Sequence, residues 1–308
     1  MTTLGPRAVH SPPLHVPSRP NLLSSVSPEP RPTEGRWQTG IAYQPERDGI
    51  GGSGSIDPCG DVGSGVKTIT ASPGIVEWDP YIIWVGDRCT TLGTDPAELK
   101  ARAIRHLEAQ TSHLIETILW TNTIDSADFG GSHPNVSLSD ASIYPGDPAG
   151  GTPITTPNAF DSVPPVSAFK TMIEALGDAL GGTRGMIHVE KRLLPLLAFY
   201  GLAIQSGQRL VTTLGDHIVV PGTGYTGSSP EEDAASDNYS WIYGTSMVEV
   251  LMSEIEVFTD LAGAVNRSTN LIEYRAERMA LAHWDRAIHI GVSVCLEDPA
   301  LDCSDIGS

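Results

Sequence analysis

Two stretches of this chain carry the glycine spacing of phosphate-binding loops. Gly222-Thr-Gly224-Tyr-Thr-Gly227 follows an apolar run ending at Val220, as a dinucleotide-binding loop would. Such a loop needs a helix N-terminus behind it, whose free N–H groups and dipole receive the pyrophosphate. Here an acidic turn follows, Ser228-Ser-Pro-Glu-Glu-Asp233, which repels phosphate, so a turn is the expectation. Gly60-Asp-Val-Gly-Ser-Gly-Val-Lys67-Thr68 is a looser match. Val66 separates its last glycine from the lysine and no helical pattern follows, which predicts a flexible loop.

Metal and nucleophile chemistry find as little support. His113 and Glu116 share a helical face and could donate two metal ligands, but no third ligand stands at a diagnostic spacing. They are expected to be surface or partner-facing polar residues. His188, His217, His283 and His289 fall in or near β-rich segments without an HExxH arrangement and read as structural. Gly244-Thr-Ser246-Met-Val248 lacks the final glycine of a nucleophile elbow. Cys59, Cys89, Cys295 and Cys303 form no CxxC pair, so neither a zinc knuckle nor a redox dithiol is written here. Reduced thiols are expected, with Cys59 and Cys89 the pair if a late bridge forms. No catalytic residue, cofactor or metal is expected, and the chain does not read as an enzyme.

Composition narrows the partners. Nineteen Lys and Arg stand against 37 Asp and Glu, a formal charge of −18 that repels a polyphosphate backbone from any face without a basic patch. An acidic wall suits a container for nucleic acid, since the packed polymer does not stick to it. No apolar run nears the roughly 20 residues that span a bilayer, and no basic segment followed by an apolar block opens the chain; a soluble protein without an export signal is expected. At 308 residues the chain can bury roughly three quarters of its unfolded surface, enough for one large domain or two modest ones.

The elements follow from pattern. Residues 1 to 45 hold nine prolines and few bulky apolar side chains, too little for a core of their own, so they are expected to lie on neighbouring subunits. Gly49 to Gly65 reads as the tip of a long hairpin flanked by Ile41-Ala-Tyr43 and Val66-Lys-Thr-Ile69, followed by strands at Ile75–Trp78 and Tyr81–Val85. Asp95-Pro96-Ala97-Glu98 starts a helix that runs to about Trp120, with Leu99, Ala103, Leu107, Leu114, Ile115 and Ile118 at helical spacing. Residues 121 to 165 lack apolar periodicity and look like a surface excursion. Beyond them the pattern predicts a helix over Val166–Leu180, a strand over Gly185–Val189 and a helix from Lys191 to about Ala203. A hairpin turning at Gly215-Asp216 comes next, then an acidic loop, strands at Trp241–Tyr243, Val248–Met252 and Ile255–Phe258, and two β-rich runs within Asn270–Leu296. Trp78, Trp84, Trp120, Trp241 and Trp284 suit a core, whereas Trp37, in the proline-rich start, suits a pocket between subunits.

The C-terminal stretch Asn270-Leu-Ile-Glu-Tyr-Arg-Ala-Glu277-Arg278-Met-Ala-Leu-Ala-His283-Trp-Asp-Arg-Ala-Ile288 resembles the closing strands of Hong Kong 97-type capsid proteins, the shell subunits of tailed bacteriophages. The element order is similar as well. The resemblance implies an α+β capsid fold with an N-terminal arm (1–45), an extended β-hairpin loop (46–75), a peripheral domain (76–203 and 263–297) containing a long spine helix (95–120), an axial domain (204–262) and a C-terminal tail (298–308). It implies a structural subunit that assembles as hexamers and pentamers into an icosahedral virion shell in the host cytoplasm. That shell would enclose DNA without reading its sequence or touching a membrane, with separate scaffold, portal and decoration proteins as further partners. No scaffolding domain is expected ahead of the arm, and with Lys67, Lys100, Lys170 and Lys191 the only lysines, nothing marks a covalent crosslinking centre. The contact residues it implies are Trp37, Tyr43, Lys67, Arg102, Arg105, Tyr225, Glu231, Glu232 and Asp233. An encapsulin-like compartment shell and a phage tail or connector protein are the alternative readings.

Overall fold

The computed structural model describes residues 15–26, 30–43, 75–90, 95–123, 134–140, 163–228, 238–258, 265–266, 271–285 and 288–296. Its central element is the long helix, and every other layer is placed by which side of that helix it covers. The first short elements are α1 (Leu22–Ser25), a 3-10 turn (Arg36–Thr39) and β1 (Ile41–Tyr43). β2 (Val76–Trp78) and β3 (Tyr81–Thr90) lead to α2 (Pro96–Thr121), 26 residues or roughly 39 Å long. The helix starts as its sequence predicts: Asp95 Oδ1 accepts from the Ala97 amide at 2.9 Å and Pro96 fills the first position. It stops at Asn122, whose φ of +57° is left-handed.

Beyond α2 come α3 (Pro165–Ala179), β4 (Met186–Glu190), α4 (Leu194–Phe199), β5 (Ala203–Ser206), β6 (Arg209–Thr212), β7 (Ile218–Gly222), β8 (Tyr239–Thr245), β9 (Glu249–Met252), β10 (Glu256–Phe258), β11 (Val265–Asn266), β12 (Leu271–His283) and β13 (His289–Cys295). Six strands form one sheet in the order β13-β8-β4-β7-β6-β5, in which only β4 and β7 run parallel. Period-2 alternation divides its side chains between two cores. Met186, Ile218, Val220, Trp241 and Tyr243 join the core that contains α2, while Ile187, Val189, Val219, Ile242 and Val292 meet α3 and α4. This sheet draws strands from both sides of the expected boundaries at residues 203 and 262. A second sheet is built around β12, which pairs with β3 along ten residues and with β9, β10 and β11 on its other edge. Small buried residues of β12, Ala276 and Ala280, lie where α2 crosses it. Helix α2 is thus flanked by two sheets, which explains why its buried residues, from Leu99 and Ala103 round to Ser112 and Glu116, spread over most of its circumference.

Three expectations need correction. The stretch after α2 is not surface throughout: Leu138 N donates to Leu119 O at 2.8 Å and Ser139 N to Trp120 O at 3.0 Å, so buried residues 137–139 satisfy the last carbonyls of the helix. The helix expected to reach Ala203 ends at Phe199, because Gly201 adopts φ +62° and the chain turns into β5. β1 pairs with β2, whereas Val66–Ile69, its expected partner, and the Gly49–Gly65 tip lie outside the described residues. The β6–β7 hairpin turns as expected, with positive φ at Gly215 and Asp216.

Gly244 of β8 sits directly beneath α3: an added Cβ would lie 2.4 Å from Met172 Sδ and 3.2 Å from Leu176. Gly244→Ala is therefore expected to cost about 1–3 kcal/mol of unfolding free energy through overpacking. The added Met172→Ala change should return part of that loss, measured as a non-additive double-mutant cycle in urea.

Candidate functional site

The glycine-rich loop after β7 does bind an anion, and the anion belongs to the chain itself. Glu116, on the middle of α2, is fully buried, contrary to the expected surface position; His113 remains exposed. Its Oε2 accepts from the amides of Thr223 (2.8 Å) and Gly224 (3.0 Å) and from Thr223 Oγ1 (3.2 Å). Its Oε1 accepts from the amide of Leu22 (3.0 Å) and from Ser112 Oγ (2.9 Å). An ionised carboxylate has about four lone-pair sites, so these donors replace its water completely. Gly224 is required by contact: a Cβ there would lie 2.3 Å from His113 O and 2.6 Å from Thr117 N. The loop then stitches to the helix end and to β8, with Trp120 Nε1 donating to Ser228 Oγ and Tyr243 OH to Ser228 O.

The Leu22 amide brings the N-terminal segment into this arrangement. Residues 18–26 form a strap across β6 and β7 beside α2. Lys191 Nζ donates to Ser18 Oγ at 2.7 Å, Arg19 reaches Gln208, and Arg209 donates to Val26 O at 2.9 Å. Leu22 and Val26 are buried in the α2 core. Further on, Thr33 N donates to Met252 O at 2.7 Å, and Trp37 packs into the same core with 8 % of its surface exposed. The segment has no core of its own, as composition requires, but for residues 15–26 and 30–43 the support is this chain's own body.

Beneath the loop lies a buried polar pair. Thr245 Oγ1 donates to Ser246 O, so its remaining lone pairs accept from His188 Nε2 (3.0 Å), and His188 Nδ1 accepts from Tyr225 OH (2.9 Å). Burial, with a smaller push from His289, lowers His188 to about 3, so the ring is neutral. Burial, then the Glu116 and Tyr81 charges, raise Tyr225 well above the ordinary phenol range. Arg278, at the heart of the closing-strand motif, is also buried. It grips Ser253 O through Nε (3.0 Å) and Nη2 (2.8 Å), holding the β9–β10 turn onto β12. Burial lowers its pKa, partly offset by Glu254 and Glu108.

The other expected contact residues are scattered rather than gathered. Tyr43 donates to Trp284 O and accepts from Trp78 Nε1 (3.1 Å), fastening the β1–β2 ribbon to the end of β12. Arg102 makes a two-pronged pair with Asp87 of β3, one arm at 2.8 Å, and Arg105 pairs with Glu98 at 2.8 Å on the surface. Tyr225 is buried. Lys67, Glu231, Glu232 and Asp233 lie outside the described residues. Of the tryptophans, Trp78, Trp120, Trp241 and Trp284 are in the core, while Trp84 is half-buried, paired with Glu277 on the side of β3 away from the buried Ile83.

Sequence reasoning missed the most exposed apolar corner. Phe199 and Leu214 are each 76 % exposed and Ile204 52 %. The bonds Thr213 N to Leu202 O and Thr213 Oγ1 to Gly201 O bring these turns together beside β5, the edge of the six-stranded sheet. The signal was present: each of Phe199 and Leu214 stands one or two residues before a turn glycine, where a side chain is rarely enclosed.

No protein-family model and no curated protein matches the sequence. Solved structures do. The capsid chain of an empty GTA particle aligns with a TM-score of 0.58 at 10 % identity, over 94 % of this chain and 95 % of that one. A chain of Gordonia phage Cozz aligns at 0.52 and 14 % identity over 95 % and 92 %, and one of Mycobacterium phage Ogopogo at 0.51 and 11 % over 94 % and 97 %. At such identities the likeness is one of fold: the chain has a major-capsid-protein-like fold of mixed helix and sheet.

Two outcomes follow from the site. As pH falls below about 6.5 the unfolded chain takes up a proton at residue 188 that the folded chain refuses until about 3. Stability is therefore full above 6.5 and falls by up to about 1.4 kcal/mol per pH unit through that window. Urea melts at pH 7.5, 6 and 5 should show a shallower fall for His188→Gln; a fall as steep as in the parent would assign the proton elsewhere. Burial also lowers His217 and His283, which add to the slope, whereas burial raises Glu190, which opposes it. Second, deleting residues 1–45 strips Leu22, Val26, Trp37 and β1 from the subunit's own core, so it should lower the melting temperature of the unassembled subunit.

Proposed function

We propose that this chain is the structural subunit of a closed icosahedral shell, assembled from hexamers and pentamers, that encloses phage DNA in a virion built in the host cytoplasm. The observation that carries this reading is the mutual, nearly full-length likeness to a capsid chain, which leaves little of either chain over for another task. In this reading α2 is the spine helix of a peripheral domain whose sheet is centred on β12. The segments 1–45, 46–75 and 298–308 are the arm, the extended loop and the tail. An axial domain covers 204–262, to which the six-stranded sheet adds β4 and β13, while β9 and β10 from this range join the β12 sheet. The protein works by geometry rather than catalysis, and its acidity, −18 overall, keeps packed DNA from adhering to the wall. Scaffold, portal and decoration proteins are separate chains.

Two surfaces support association between copies. The corner of Phe199, Ile204 and Leu214 gains about 1.5–3 kcal/mol for each side chain fully buried. By alternation, the face of the β3–β12–β10 sheet turned away from α2 carries Ile82 opposite Met279, Trp84 opposite Glu277 and Phe258 opposite Arg275. It suits an overlapping arm or loop of a neighbour, to which Tyr43, Lys67, Arg102, Arg105 and the Glu231–Asp233 cluster add polar contacts. Trp37 and Tyr225 contribute from beneath, by fixing the backbone they anchor.

Purified protein examined by negative-stain electron microscopy and sedimentation should contain closed particles. The double variant Phe199→Ser/Leu214→Ser should keep the circular-dichroism spectrum and sediment as a small species. Wild-type protein that never exceeds a small oligomer would falsify the shell reading, whereas normal shells from the double variant would remove only the corner from the contact set.

A further inference from the structure

The pocket around the Glu116 carboxylate has the composition of an anion receptor. Three segments far apart in sequence supply its donors: the strap through the Leu22 amide, α2 through Ser112, and the glycine loop through Thr223 and Gly224. The two oxygens divide the work. Oε1 serves the strap and Ser112, and Oε2 serves the loop.

We propose that these donors form a receptor for a small carboxylate, which the Glu116 side chain fills in the folded subunit, and that filling it locks residues 18–26 to the body. Docking the strap onto an empty receptor would bury N–H and O–H groups without acceptors, which opposes docking. An anion satisfies all of them together and cannot be replaced by a neutral amide, whose NH2 group would face donors. The charge therefore matters as much as the shape, and strap and loop become ordered as one unit. This inference concerns the single subunit and stands whether or not the shell reading does.

Glu116→Ala removes a CH2–COO⁻ unit, the volume and charge of acetate, so acetate is the probe. Amide hydrogen exchange of the unassembled subunit, read at residues 22–26 and 223–224, gives the result. In Glu116→Ala both segments should exchange about tenfold faster or more, as lost acceptors release the amides. Sodium acetate should slow both segments together, saturating in the millimolar range typical of so small a ligand. Sodium chloride at equal ionic strength and neutral acetamide should not, and wild type, its receptor full, should not respond to acetate. Glu116→Gln should exchange nearly as fast as Glu116→Ala. If Glu116→Ala does not melt cooperatively, acetate should restore the cooperative transition where chloride fails. The proposal is overturned if Leu22 and Gly224 in the variant are as protected as in wild type, or if acetate does no more than chloride.

Discussion

An ionised carboxylate enclosed by protein must be solvated by the protein, and where its hydrogen bonds come from neutral groups the backbone has to do most of that work. Glu116 imposes this requirement at the middle of the longest helix. Satisfying it fixes the path of the strap, which must present the Leu22 amide, and the conformation of the loop after β7, which must present two consecutive amides. The loop in turn places Tyr225 against His188 on β4 and Ser228 against Trp120 and Tyr243. One buried charge thereby sets the relation between the N-terminus, α2 and the six-stranded sheet.

The layers on either side of α2 obey a second constraint, the closeness of approach. A helix between two sheets needs small residues where backbones meet, and the chain supplies Ala276 and Ala280 on β12 and Gly224 on the loop. The same logic places Gly185 and Gly244 under α3, each with less than 3 Å to spare for a Cβ. Such contacts depend on size and not on a particular sequence, provided alternation and helical spacing are kept. This is consistent with a fold shared at very low sequence identity.

How much of this was legible beforehand depended on whether the signal was local. The start of α2 was legible because Asp95 caps it and Pro96 fills its first position, although Glu98, expected to complete a capping box, pairs with Arg105; the β6–β7 hairpin was legible because Gly215 and Asp216 carry its turn. The closing strands were legible as two β-rich runs and from the resemblance carried by the Glu277-Arg278 stretch. The roles of Glu116 and His188 were not, since their partners lie 94 and 108 residues away for the carboxylate and 37 and 57 for the imidazole. The glycine pattern at 222–227 was read as a turn, and its chemistry was misjudged: a sequence with no helical pattern behind the glycines argues against pyrophosphate, not against an internal carboxylate. Ser137 to Ser139 were misread because a segment that caps a helix needs polar atoms and no periodicity. The helix after Lys191 was overextended for the opposite reason, an apolar run being taken as helical to Ala203, past Gly201, which had already ended it.

The strap also bears on how copies of such a subunit could meet. With residues 18–26 docked on their own body, Leu22 and Val26 are covered, and among the described residues the large apolar side chains left in water are Val16, Ile75 and Val166, each in a different segment, the Phe199, Ile204 and Leu214 corner, and Phe258 on the β12 sheet. A net charge of −18 makes copies repel at distances up to the Debye length, about 8–10 Å in physiological salt, whereas apolar contacts act only when surfaces touch. Association is then weak per contact and sensitive to fit: a misaligned neighbour keeps the repulsion without gaining the burial. Many such contacts repeated around closed symmetry add up to a stable shell, while any single wrong one dissociates. A subunit that were sticky in isolation would lose that correction. On the proposed shell reading, the small extent of the exposed apolar corner, rather than its strength, is what would suit it to ordered assembly.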